Sequence, residues 1–165
     1  MLSRDAYTRL LLDANSDFAI TPLIDPDTQF GLASVDLRLG PDLVITRRAT
    51  GVVAYDPGDA EAIQDDLERY QTYVRRPFGS RFYLHPGEFA IARTLEFLSL
   101  PTTLSGEAMG RSSWGRLGLV IATATFIQPE FEGTITLELA NLGTVPIVLY
   151  VGMRLAQVAF HEVTD

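Results

Sequence analysis

The sequence predicts a mainly β fold, a sandwich or barrel with little helix. From residue 34 onward, short runs rich in Val, Ile, Leu, Thr and Phe follow one another closely. Turn residues separate them: Gly40-Pro41, Pro86-Gly87, Pro101, Pro129, Gly133, Asn141 with Gly143, and Gly152. Helical spacing shows in just two stretches, and many short strands with few helices make a sandwich or barrel.

The elements follow in order. Ser3 to Ala14 predicts a short N-terminal helix. Ser3 is its N-cap, Asp5 sits in the first turn, and Ala6, Tyr7, Leu10, Leu11 and Ala14 form one apolar stripe. Residues 21–31, with Pro22, Pro26 and Gly31, read as loop. Strands are expected at 34–39, 42–47, 51–55, 88–93, 95–98, 118–126, 134–140, 146–151 and 153–160. Within this series, residues 57–71 form one small acidic helix. Its apolar edge (Ala62, Ile63, Leu67, Tyr70) is narrow enough to place it on the surface.

At 165 residues, 47% hydrophobic and 21% charged, the chain reads as one soluble domain with a real core. A net charge of −8 argues against nucleic-acid binding. No apolar run reaches membrane-spanning length. The N-terminal segment carries Asp5 and Asp13 and no small-residue cleavage site, unlike a signal peptide. The chain has no cysteine, which rules out disulfides and thiolate metal sites and suits the cytoplasm. The two histidines, His85 and His161, lie far apart, so no zinc centre is expected. His85 falls in a predicted turn, Leu-His-Pro-Gly-Glu. All 13 basic residues are arginine.

Residues 110–119, Gly-Arg-Ser-Ser-Trp-Gly-Arg-Leu-Gly-Leu, have the composition of a polyphosphate site. Arg111 and Arg116 supply forked donors, Ser112 and Ser113 add hydroxyls, and the glycines let backbone approach closely. The bland alternative is a turn whose arginines make salt bridges. Along 134–140, Ile135, Leu137 and Leu139 take one face of a strand, while Thr134, Thr136, Glu138 and Ala140 take the other. Glu138 is then either a solvated strand residue or a general base in a cleft. In the strand at 153–160, Gln157 shares a face with Met153, Leu155 and Ala159. Its amide must find a partner there, either backbone or ligand.

The decamer closely resembles the phosphate-binding motif of the dCTP deaminases. Further segments resemble that family in order over roughly residues 30–161: Ser34-Val-Asp-Leu-Arg-Leu-Gly40, Phe82-Tyr-Leu-His-Pro-Gly-Glu88, the run from Thr123 to Asn141, and Gly152 to Phe160. The resemblance implies a single deaminase-like domain over 1–165, folded as a distorted β-barrel of the dUTP diphosphatase type. It implies a homotrimer with active sites between subunits, and zinc-independent deamination of dCTP to dUTP and ammonia. Glu138 would take a proton from water and deliver it to the departing amine. Ser112 and Arg116, from the neighbouring subunit, would polarise that water. Arg111 and Ser113 would hold the phosphates, with magnesium on the triphosphate. The backbone around Thr136 and Leu137 would meet the base, and Gln157 would contact the nucleotide.

Three departures from the family pattern stand out. Gln128 replaces an aspartate that reads the deoxyribose, and this counts against dUTP hydrolysis, the alternative activity. The stretch 119–126 is one residue short and lacks a histidine. The chain stops at Asp165, without the tail that in the family closes over the nucleotide as a lid. The last two departures favour a second alternative, a non-catalytic nucleotide-binding trimer.

Overall fold

The computed structural model describes residues 1–47, 58–122 and 124–164. Helix α1 (Arg4–Leu12) starts at Ser3, whose hydroxyl accepts from the Ala6 N–H, and it buries Tyr7. The Tyr7 ring meets Phe30 and Phe160 edge-on, and its hydroxyl donates to the Gly31 carbonyl at 2.6 Å. The expected loop at 21–31 instead holds the end of β1 (Ala19–Thr21) and a one-turn helix α2 (Pro26–Gln29), with proline in its first turn.

Strand β2 (Val35–Thr46) is continuous, although Gly40-Pro41 predicted two strands. Its register to β5 slips between Leu39 and Leu43, so the pair forms a bulge and the strand resumes beyond it. The expected strand at 51–55 lies outside the described residues. Helix α3 (Ala60–Tyr70) matches the acidic helix, with Ile63, Leu67 and Tyr70 half-buried. Strands β3 (Gln71–Arg75) and β4 (Arg81–Leu84) follow.

Strand β5 (Phe89–Ser99) is likewise one strand where two were expected. It bulges between Arg93 and Phe97 against its neighbour β9. Side chains repair this bulge. The Ile135 N–H donates to Thr94 Oγ1 at 2.9 Å, and the Arg38 N–H to Glu96 Oε2 at 2.7 Å. Gly40 lies against the same kink, where a Cβ would come within 2.7 Å of the Arg93 carbonyl oxygen.

The remaining elements are β6 (Leu104–Gly110), the one-turn helix α4 (Ser112–Gly115), β7 (Leu119–Ala122), β8 (Phe126–Ile127), β9 (Glu132–Asn141), β10 (Ile147–Tyr150) and β11 (Arg154–Glu162). The single strand expected at 118–126 is therefore two, β7 and β8, on different neighbours.

Among the described residues, nine strands form one sheet along the path β7-β9-β5-β2-β11-β6-β8, with β1 on β5 and β3 on β2. Strands β4 and β10 pair separately. The two ends of this path, β7 and β8, are joined by residues 123–125 alone. Laid flat, seven strands would set the ends about 29 Å apart. Four residue steps span at most about 14 Å. The sheet must therefore curl until its ends meet, as a barrel does. Val35, Leu37, Leu39, Leu43, Ala92, Leu98, Leu137, Leu139, Val158 and Phe160 fill the inside.

Candidate active site

The curled sheet closes imperfectly. Strand β7 pairs with β9 over Glu138 to Asn141 and stops at Ala122. Beyond that point the flank of β9 faces the β8 side of the sheet across a cavity of about 310 Å³. Thr134, Ile135, Thr136 and Glu138 line one wall; Ala124, Phe126, Ile127, Gln128 and Phe131 line the other. This is an apolar slot with a few polar groups, the usual make-up of a small-molecule site.

The alternation of β9 sets what enters the slot. Ile135, Leu137 and Leu139 are buried, while Thr136 and Glu138 are exposed. Glu138 is the single carboxylate among the described lining residues. The Leu137 side chain is wholly inside the core, so this residue has only backbone to offer a ligand. Across the slot, Phe131 is anchored through its backbone. Its N–H donates to the Gln128 carbonyl and its carbonyl accepts from the Leu100 N–H.

The arginine-serine motif lies outside this slot. Arg111 is the N-cap of α4, and Ser112, Ser113 and Arg116 are exposed on it. The one-turn helix is tied to β11: the Arg111 N–H donates to the Leu155 carbonyl, and Trp114 Nε1 to the Arg154 carbonyl at 2.9 Å. It is tied to the β9–β10 turn by the Leu142 N–H, which donates to the Gly118 carbonyl at 2.9 Å.

Arg111 joins a second polar group. Its Nη1 donates to Asp36 Oδ2 at 2.6 Å, and Arg154 Nη1 approaches the same oxygen at 3.3 Å. Arg154 Nη1 also donates to the Thr28 carbonyl. Burial lifts the Asp36 carboxyl above the usual range, and Arg111, Arg154 and Arg38 pull it partly back. Gln157 stands opposite Asp36 in the ladder, and its Oε1 accepts from the Ser34 hydroxyl at 3.3 Å. Gln157 is thus half-buried between Asp36 on one neighbouring strand and Met109 on the other. The β11 bulge between Arg154 and Ala156 interrupts the alternation that predicted Met153 and Leu155 as its companions.

Within one chain the expected residues therefore fall in two groups. Glu138, Thr136 and Gln128 share the slot, with Leu137 behind them. Arg111, Ser112, Ser113 and Arg116 share α4, and Gln157 joins Arg111 through Asp36. The sequence reading passed over Phe126 and Phe131, the aromatic walls, although both flank the Pro129 turn. It also passed over Asp36 and Arg154, whose partners are remote in sequence. Among the described residues, no group of three or more His, Cys, Asp or Glu could hold a metal ion. No helix of the described chain is long and apolar enough to cross a membrane.

Comparison with known proteins identifies the family. A protein named dCTP deaminase from Halorubrum lacusprofundi is 44% identical over 150 residues, 90% of this chain and 71% of that one. A Halobacterium salinarum protein named dCTP deaminase, dUMP-forming, is 43% identical over 98% of this chain and 80% of its own. The crystal structure of the 2'-deoxycytidine 5'-triphosphate deaminase from Agrobacterium tumefaciens superposes with a TM-score of 0.70 at 30% identity. It covers 96% of this chain, which spans about half of that one (47%). A family model described as dCTP deaminase-like matches residues 1–163, and the chain belongs to that family.

Proposed function

We propose that this protein hydrolyses the amino group of dCTP, giving dUTP and ammonia in the cytoplasmic nucleotide pool. The observation that carries this reading is Glu138, the single carboxylate in an aromatic-walled slot of a dCTP deaminase-like chain. The base would enter between Phe126 and Phe131, with the β9 backbone at Thr136 and Leu137 along its edge. Glu138 takes a proton from water as the oxygen attacks C4 of the cytosine. It then returns that proton to the amine, so that the C4–N bond breaks and ammonia leaves. Gln128 is placed to hydrogen-bond the deoxyribose. Arg111 and Ser113 hold the phosphates, and magnesium arrives as part of the substrate, on the triphosphate.

Ser112 and Arg116 polarise the attacking water from a neighbouring subunit of a homotrimer. The two separate residue groups within one chain support this arrangement. So do the exposed apolar side chains near them, Leu117, Val120, Leu142 and Val145. General-base catalysis is worth about 10²- to 10⁴-fold. Glu138→Gln therefore lowers kcat by about that factor while dCTP binding stays within a few-fold. Wild-type turnover in that variant overturns the assignment. Subunit mixing checks the shared site. Ser112→Ala and Glu138→Gln are each inactive, and a one-to-one mixture of their subunits regains about a quarter of wild-type activity if sites form between chains. Zero recovery, with exchange of subunits verified, places both groups in one subunit.

The name of the Halobacterium relative favours a second product, dUMP, by additional loss of diphosphate. Gln128 weighs against it here, because an amide cannot serve as a base and the slot has no second carboxylate among its described lining residues. Incubation with dCTP, following ammonia and pyrophosphate together, decides: ammonia alone supports dUTP as product.

A further inference from the structure

Arg154 is the outlying member of the arginine group, and three features set it apart. The bulge between Arg154 and Ala156 shifts the facing of β11. An undisturbed strand would put residues 154 and 157 on opposite faces, three steps apart. The bulge brings the Arg154 guanidinium instead to Asp36, the ladder partner of Gln157. Second, Asp36 is shared. Its Oδ2 accepts from Arg111 at 2.6 Å and meets Arg154 at 3.3 Å, so one carboxylate holds two cations, one from the start of α4 and one from β11. Like charges this close repel unless an anion lies between or beside them. Third, both guanidiniums stay about one-third exposed, at 33% and 34%, while Asp36 is at 13%. Each arginine has five N–H donors and spends few of them on protein partners, so donors remain on the solvent side.

The backbone of Asp36 is itself held in place. Gln29 Nε2 donates to the Asp36 carbonyl at 3.1 Å and to buried Glu96 at 2.9 Å. Asp36 thus stands on a fixed strand and fixes the arginines in turn.

We propose that Arg154 is a second phosphate-binding arginine, and that Asp36 is the positioning residue that presents Arg111 and Arg154 as a pair to one polyphosphate. The identification of that polyphosphate with the tail of dCTP rests on the function proposed above. Hydrogen bonds to charged groups set the scale: Arg154→Gln raises KM for dCTP about 10- to 100-fold, with kcat within about threefold. The inhibition constant of inorganic tripolyphosphate rises by the same factor. That of deoxycytidine, which has no phosphate, stays put. Arg154→Lys recovers part of the loss, keeping the charge without the fork. Asp36→Asn raises KM in the same direction, again without changing deoxycytidine inhibition.

An unchanged KM and tripolyphosphate constant in Arg154→Gln overturns the proposal. So does a parallel loss of kcat, deoxycytidine inhibition and thermal stability, which marks a structural role. If the wild-type protein does not deaminate dCTP, the functional reading fails separately. Calorimetry with tripolyphosphate alone then decides: wild-type binding that Arg154→Gln abolishes sustains the clamp, and equal or absent binding rejects it.

Discussion

Replacing Gly118 with alanine tests whether the arginine motif is held by a backbone-to-backbone contact. Gly118 has φ of +89°, in the left-handed region. A Cβ there would lie 2.6 Å from the Gly143 nitrogen and 2.7 Å from its Cα. Three costs follow. The left-handed backbone costs a non-glycine residue about 1 kcal/mol. Forcing two backbone segments apart costs about 1–3 kcal/mol. Parting them weakens the hydrogen bond from the Leu142 N–H to the Gly118 carbonyl, worth about 1 kcal/mol. Alanine also stiffens the unfolded chain, which offsets about 0.5 kcal/mol. The net loss is about 3 kcal/mol, or a fall in Tm of about 6–12 °C for a chain of this size. Calorimetric melting of the pure protein reads it directly. Gly115→Ala is the control, since its Cβ would meet nothing within 4 Å, and it leaves Tm unchanged. A Gly118→Ala variant that melts within about 2 °C of wild type would refute the reasoning.

Three further outcomes are expected. Phe131→Ala removes one aromatic wall of the slot and raises KM for dCTP about tenfold, on the scale of base–aromatic stacking; steady-state kinetics checks it. Glu96→Gln leaves one acceptor oxygen for two donors, the Gln29 amide and the Arg38 N–H, and costs about 1–3 kcal/mol, read by urea unfolding. That penalty depends on pH. Burial lifts the Glu96 carboxyl above its ordinary 4.5, against the pull of the Arg38 N–H and guanidinium and of Gln29. The folded state then binds more protons than the unfolded one between the two values. The contribution of Glu96 to stability is therefore full below the ordinary value and is lost as pH rises through the folded one. Stability curves of wild type and Glu96→Gln must converge with rising pH across that window, and divergence rejects the assignment.

What the sequence made legible was local. Ser3 and the apolar stripe from Ala6 to Ala14 marked α1, and strict alternation marked β9 with Glu138 on its outer face. What it hid depended on remote partners. Gly40-Pro41 looked like a strand end, but Glu96, 58 residues from Arg38, supplies the acceptor that lets β2 continue past its bulge. Strand β6, which carries Gly106 and Gly110, is absent from the expected strands. Both glycines are small because Ile127 and Ile121 press on them, where a Cβ would meet side chains at 3.1 Å. The break between β7 and β8 reflects closure of the whole sheet, which no local run encodes. Asp36 and Arg154 escaped notice for the same reason, being 118 residues apart.

The slot holding Glu138 is a seam, the place where one continuous sheet fails to meet itself. Its width is what remains after five strand-to-strand steps from β9 round to β8, as the last gap in a ring of bricks collects the error of every joint. Gly40 sits at the β2–β5 ladder, one ladder removed from β9, with no room for a Cβ beside the Arg93 carbonyl. Altering it would shift the β9 wall without touching a single residue of the slot, so on the proposed function the fit to the base depends on ladders outside the site.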